Sequence, residues 1–252
     1  MMKARKKKSR LKYLLISCIM VMLFTPLYLY FAYDVLELKS EFPHLTVNAD
    51  ESVEVNVRTG KPSHWVDLKS VSKSVKWAII LSEDWAFYQH QGLDVEQIKV
   101  ALSEMVEDKR FRGASTITQQ MVKNVYLAHS PALWRKIQEI LLAQKVEHVL
   151  SKDRILEIYL NSIEYGPGIY GIKAASQHYF RKHPSELKAR EGAFLAMLLP
   201  SPRRYYVSFK RKQMTAFAKL RVKAILKKMR QGKIITQDQY ESELNRKFIW
   251  EY

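Results

Sequence analysis

A mainly α-helical domain behind one N-terminal transmembrane helix is the fold class this sequence predicts, on three observations. First, "YLLISCIMVMLFTPLYLYFAY" (13–33) carries no charge and follows "MMKARKKKSRLK", a tail of seven Lys or Arg and no acid. Second, apolar residues beyond about Val71 recur mostly at helical spacing. Third, strand-like alternation is confined to "ESVEVNVR" (51–58), with no internal repeats or low-complexity linkers.

A helix rising about 1.5 Å per residue over 13–33 is long enough for a hydrocarbon core of roughly 30 Å. A cleavable signal would have a shorter apolar stretch and small residues at its cut site. Here the run ends in bulky "YFAYD". The basic flank is expected in the cytoplasm, with Tyr28, Tyr30, Phe31 and Tyr33 at the far interface; Pro26 kinks the span without breaking it. The predicted organisation is a cytoplasmic tail (1–12), an anchor (13–33), a juxtamembrane linker (34–64) and an extracytoplasmic domain (65–252).

Within the linker, "FPH", "NAD" and "RTGKPS" signal turns and "ESVEVNVR" a short strand. "VSKSVKWAIILSED" reads as a helix. "ALWRKIQEILLAQKVEHVLS" is a long amphipathic helix with Ile137, Ile140, Leu141, Val146, Val149 and Leu150 expected on its buried side. Ser151 caps the next helix, "KDRILEIYLNSI". "REGAFLAMLLPSP" is an apolar helix stopped by Pro200 and Pro202, and the basic amphipathic helix of 210–231 ends at Gly232.

The 42 Lys and Arg against 25 Asp and Glu give +17. Removing the tail's seven leaves +10, which calls for an anionic partner. Outside the cytoplasm nucleic acid drops out, leaving anionic lipid and lipid-linked phosphate. Cys18 is the single cysteine, so neither an intrachain disulfide nor a thiolate metal cluster is available. There is no H-E-x-x-H. "GPGIYG" (166–171) fits G-x-G-x-x-G, but it follows a helical stretch and contains Pro167, so a turn is expected rather than a nucleotide loop. Three S-x-x-K strings lack the companion elements of a serine acyl-enzyme.

Three segments carry candidate chemistry. In "AIILSEDWAFYQHQGLD" (78–94), Glu83 and Asp84 end an apolar run. Flanking Ile79, Ile80, Trp85 and Phe87 would raise the pKa of Glu83 and suit it to accept a proton near neutrality. Alternatively the acids cap a helix or pair with lysines. In "RGASTITQQMVKN" (112–124), Thr116 and Gln119 form a capping box; Gln120, Lys123 and Asn124 share one face, while Met121, Val122 and Val125 turn inward. Such an N-terminus suits phosphate oxygens, or is an ordinary capped helix. In "RKIQEILLAQKVE" (135–147), Glu139 lies four after Arg135 and three after Lys136. That spacing fits surface salt bridges or a cluster over a phosphorylated sugar.

Taken in order, "EDWAFYQHQGLD", "GASTITQQMVKN", "RKIQEILLAQKVE", "KDRILEIYLNSIEYGPGIYGIKAASQHYF" and "REGAFLAMLLPSPRRY" resemble the five motifs of the peptidoglycan glycosyltransferases. These enzymes polymerise the lipid-linked disaccharide of the bacterial wall, and the absence of transpeptidase elements points to the monofunctional branch. The resemblance runs from about Trp65 to "GKIITQDQY".

It implies a lysozyme-like, mainly α glycosyltransferase domain with its groove at the outer face of the bacterial cytoplasmic membrane. Glu83 would be the general base for the acceptor 4-hydroxyl of lipid II, with Glu139 the second essential glutamate. Lys123, Arg135 and Lys136 would meet the diphosphate-undecaprenol leaving group, and Ser115, Thr116, Gln119, Gln120 and Asn124 would line the donor side. A divalent cation (Mg2+ or Mn2+) is the candidate cofactor. The expected partners are lipid II, nascent lipid-linked glycan, the membrane and cell-wall synthesis or division proteins; nucleic acid is not among them. One departure is that "NVYLAHSPALW" (124–134) lacks the Lys or Arg that many family members carry, which implies a weaker grip on the donor diphosphate or a phosphoglycolipid inhibitor, with His129 a partial substitute. Two rivals remain at this level: a lytic, lysozyme-like hydrolase and an inactive anchor that recruits wall-synthesis proteins.

Overall fold

The computed structural model describes residues 31–106, 115–127 and 132–251, and positions 13, 16, 20, 24 and 28; side chains at 102, 105, 106, 132 and 133 are excepted. The expected anchor falls mostly outside these residues. Tyr13, Ile16, Met20, Phe24, Tyr28 and Phe31 are helical and exposed. Among the described residues, no helix is long and apolar enough to cross a membrane.

Eleven labelled helices follow among the described residues: α1 (Lys73–Glu83), α2 (Val95–Val106), α3 (Ile117–Tyr126), α4 (Ala132–Val149), α5 (Lys152–Ser162), α6 (Ile172–Phe180), α7 (Ala189–Leu198), α8 (Pro202–Tyr205), α9 (Val207–Lys210), α10 (Ala216–Gln231) and α11 (Gln237–Asn245). Two antiparallel hairpins accompany them, β1 (Phe42–Val47) with β2 (Val53–Arg58) and β3 (Glu164–Gly166) with β4 (Ile169–Tyr170). "ESVEVNVR" thus contains a strand, and Pro167 and Gly168 make the turn of the second hairpin.

Local chemistry explains the boundaries. Ser72, Thr116, Ser151, Thr215 and Thr236 each accept a backbone N–H with a side-chain oxygen at a helix start. Each such cap satisfies an amide that the helix leaves open, worth about 1 kcal/mol. Gly232 closes α10, as expected.

The core has two groups of helices. In the first, α1 lies against α7, and α10 covers both. α1 buries Val75, Ala78, Ile79 and Ile80 in this contact. The backbones approach so closely at Gly192 that a Cβ there would stand 2.9 Å from the Val75 Cα. In the second group, α3 packs on α4 and α5, burying Met121, Val122 and Val125 as expected.

α4 is rotated from the expected orientation. Val146 and, just past the helix end, Leu150 are buried as expected, but Leu142 and Ala143 complete the buried stripe, while Ile140, Leu141 and Val149 are half-buried and Ile137 is exposed. Extending that stripe back by three residues reaches Glu139, which is why this carboxylate is buried.

Residues 34–64 are bonded to the domain. Val35 and Leu38 are fully buried. Arg154 on α5 donates to the Leu38 and Glu41 carbonyls (2.9 and 2.7 Å) and to Glu157 (2.7 Å). Its guanidinium also lies over the rings of Phe42 and Trp65 at 4.8 and 5.4 Å. Lys145 on α4 donates to the Tyr33 carbonyl at 2.6 Å, tying the end of the expected anchor to a helix that bears site residues.

Candidate functional site

Adjacent Glu83 and Asp84 do different things. α1 ends at Glu83, and the chain then turns so that Asp84 points inward. Asp84 Oδ2 accepts the Ile117 amide at 2.9 Å, at the start of α3, and Oδ1 bonds His90 Nε2 at 2.8 Å. A carboxylate at a helix N-terminus satisfies an open amide and meets the positive end of the helix dipole. Asp84 is therefore the tie between α1 and α3.

The loop after Asp84 is pressed onto α4 at Gly92, whose φ is +81° and whose added Cβ would meet the Ala143 carbonyl at 3.1 Å. The Gly92 carbonyl accepts from Thr116 Oγ1 at 2.7 Å. Asp94 Oδ1 accepts the Gln97 amide at 2.9 Å and starts α2.

Glu83 is held by side chains instead. Its Oε2 accepts from Gln120 Nε2 at 3.1 Å and its Oε1 from Ser82 Oγ at 3.3 Å. Tyr159 on α5 in turn donates its hydroxyl to Gln120 Oε1 at 2.9 Å. The pKa of Glu83 is raised by desolvation, opposed by the bonds from Gln120 and Ser82 and by the charges of Arg221 and Lys228 on α10. Ile79, Ile80 and Phe87, buried around this end of α1, supply the apolar setting, whereas Trp85 is exposed. Lys228 also donates to the Leu81 carbonyl at 2.8 Å.

One turn along α3 stands the second cluster. Buried Glu139 receives Lys136 Nζ at 3.0 Å and faces Arg135 Nε at 3.6 Å. Lys136 also donates to Ser115 Oγ at 2.9 Å, joining α4 to the start of α3. Lys123 completes the group from α3: its pKa is lowered by desolvation, and by Arg135 and Lys136, against a raising pull from Glu139.

Gln120 and Lys123, three apart on α3, therefore face the Glu83 group and the Glu139 group from one side of one helix. Asn124 lies partly buried beside Lys123. Thr116 and Gln119 stand apart from the other candidates. Both are buried, and their polar groups close the capping box, with Thr116 N donating to Gln119 Oε1 and Gln119 N to Thr116 Oγ1. His129 lies outside the described residues.

Sequence reasoning missed Tyr159, Arg221 and Lys228. Tyr159 sits among buried Ile155, Leu156, Ile158 and Leu160 of α5. A buried phenol ordinarily needs a partner for its hydroxyl, and that was the available signal.

A divalent cation does not suit Glu139, since Lys136, Arg135 and Lys123 already surround it with positive charge. Asp84, His90 and Asp94 bring ligand-type atoms within 4.8 Å of one another. There both Asp84 oxygens and His90 Nε2 are bonded and Asp94 Oδ1 caps α2, which leaves His90 Nδ1 and Asp94 Oδ2 as the buried atoms without a protein partner. No step below passes through a metal.

A family model described as transglycosylase matches residues 51–230. Among curated proteins, the chain is 44% identical over 165 residues to a biosynthetic peptidoglycan transglycosylase of Pasteurella multocida, covering 66% of this chain and 65% of that one. It is 47% identical over 140 residues to a protein of the same description from Shewanella denitrificans, covering 56% and 61%. With that from Bdellovibrio bacteriovorus it shares 38% over 165 residues, 66% of each. In each case the match spans less than two thirds of the relative's own length.

Proposed function

We propose the following reaction for this chain, which belongs to the transglycosylase family: it polymerises lipid II into uncrosslinked peptidoglycan strands. Glu83 accepts the proton of the acceptor 4-hydroxyl as that oxygen attacks the anomeric carbon of the growing chain. The new C–O bond forms as the bond to the undecaprenyl diphosphate breaks, with inversion at carbon. Positive character develops at the sugar and negative charge on the departing diphosphate. Lys123, Arg135 and Lys136 meet that charge, and Glu139 orients two of them.

The observation that carries this reading is α3. One face brings Gln120 to a desolvated carboxylate and, one turn on, Lys123 to a cluster of cations. A proton acceptor and an anion site so placed are the two functions that the transfer needs. The printed description of the relatives, biosynthetic peptidoglycan transglycosylase, supports the same substrate class.

The same proposal places residues 13–33 across the bacterial cytoplasmic membrane, with the basic tail in the cytoplasm and the domain outside. The exposed apolar side chains at Ile16, Met20, Phe24 and Phe31 support it. The test is purified full-length protein with lipid II, read by glycan length. Wild type is expected to give long strands and Glu83→Gln none. Normal strands from Glu83→Gln end the base assignment, and muropeptides released from finished peptidoglycan point to the lytic rival.

A further inference from the structure

An amide has one accepting and one donating end, and a carboxylate has only acceptors. Gln120 therefore supports an ionised Glu83 only while its nitrogen faces the acid. The amide oxygen on the other side lies 2.9 Å from the Tyr159 hydroxyl, while the nitrogen lies 3.1 Å from Glu83 Oε2. Tyr159 on α5 is fully buried, and close packing restricts where its ring can sit.

We propose that Tyr159 is a positioning residue of the proton-accepting site: its hydroxyl fixes which end of the Gln120 amide faces Glu83. The inference rests on the reading of Glu83 as base, and it assigns the relay from α5 through α3 to α1 by which that base is oriented.

The phenol is a dependable donor, because burial and the charge of Glu83 both push its pKa up and keep the proton on oxygen. Without the hydroxyl, Gln120 is free to turn over. Its oxygen then faces Glu83, an arrangement compatible with a protonated acid and repulsive toward a carboxylate. The hydroxyl thus acts at a distance to keep the base ionised against desolvation.

The test uses full-length protein and two readouts. Without substrate, the infrared carbonyl band of protonated Glu83, identified by its loss in Glu83→Gln, is followed against pH. With lipid II, kcat and KM are measured over the same range. In Tyr159→Phe the infrared midpoint is expected to rise by about one pH unit, the worth of one hydrogen bond to a charged group. Below the wild-type midpoint kcat should fall about tenfold with KM held within twofold, and the loss should shrink and vanish as pH is raised past the shifted midpoint.

A merely structural role would lower the unfolding temperature and depress activity at every pH. Gln120→Leu removes the amide, so Tyr159→Phe on that background should move the midpoint no further. An unmoved midpoint in Tyr159→Phe overturns the proposal, as does a full shift that persists without Gln120. Should Tyr159→Phe fail to fold, Gln120→Leu carries the test, and an unmoved midpoint in it is equally fatal. Failure of the base reading looks different: Glu83→Gln would still make glycan, while the infrared titration would continue to judge the relay.

Discussion

Neutralising each member of the acidic pair in turn should produce opposite effects on stability. Asp84 accepts the Ile117 amide at 2.9 Å and bonds His90 at 2.8 Å, both out of water. Asp84→Ala leaves the buried Ile117 amide without a partner, which costs about 1–3 kcal/mol, and removes the negative charge from the positive end of the α3 dipole, worth about 0.3–1 kcal/mol. With His90 also abandoned, a total of about 3 kcal/mol is expected, or roughly 6–12 °C at about 2–4 °C per kcal/mol for a protein of this size.

Glu83→Gln preserves shape and removes a carboxylate whose charged form is disfavoured by desolvation. Its unfolding temperature should match or exceed that of wild type at neutral pH. The pH dependence has a definite sign. Because the folded pKa of Glu83 is raised, the folded state holds the proton after the unfolded state has lost it. Its contribution to stability is then full below the unfolded value of about 4.3 and is lost as pH rises through the folded pKa. The advantage of Glu83→Gln over wild type should grow across that window and then level off. Calorimetry of the full-length protein and both variants from pH 4 to 8 measures all of this. Equal destabilisation by the two substitutions, or an advantage that shrinks as pH rises, would refute the division of labour.

Three further outcomes follow from other contacts. Gly192→Ala places a Cβ 2.9 Å from the Val75 Cα, so α1 and α7 must separate; calorimetry should show a loss of about 1–3 kcal/mol, and glycan synthesis should fall because α1 carries Glu83. Arg154→Met removes three donated bonds that hold residues 38–41 and Glu157, and limited proteolysis should then cut faster between residues 34 and 60. Lys123→Met should leave the unfolding temperature within about 1 °C, since the lost attraction to Glu139 is offset by relief of desolvation and of repulsion from Arg135 and Lys136, while turnover of lipid II drops at least tenfold.

Much of the fold could be read before the structure because its signals are local. Ser151, Thr116 with Gln119, and Gly232 mark helix ends through chemistry within four residues, and the structure uses them in that way. The long helix α4 was harder. Its apolar residues spread around more than half of the wheel, so Ile137 and Leu142 compete for the core, and only tertiary contact decides. The winning face includes Glu139, turning what reads as a surface ion pair into a buried acid with cationic partners.

The candidate site was legible as residue types and illegible as roles. Nothing local distinguishes Glu83 from Asp84, since both follow the same apolar run; the difference is which of them meets the start of α3. That meeting spans 33 positions of sequence, and the Glu83–Gln120 bond spans 37. The two contacts are coupled. Asp84 fixes where α3 begins, and the distance from Ile117 to Gln120 is less than one helical turn, so anchoring the first residue also sets the amide that addresses Glu83. An acid used for architecture thereby places the partner of its neighbour, the proposed base, and the remaining positions on that face of α3 place Lys123 beside the cations of α4. Displacing Ile117 by loss of the Asp84 carboxylate would shift both halves of the site together, so an Asp84 variant that still folds should lose proton transfer and diphosphate binding in parallel.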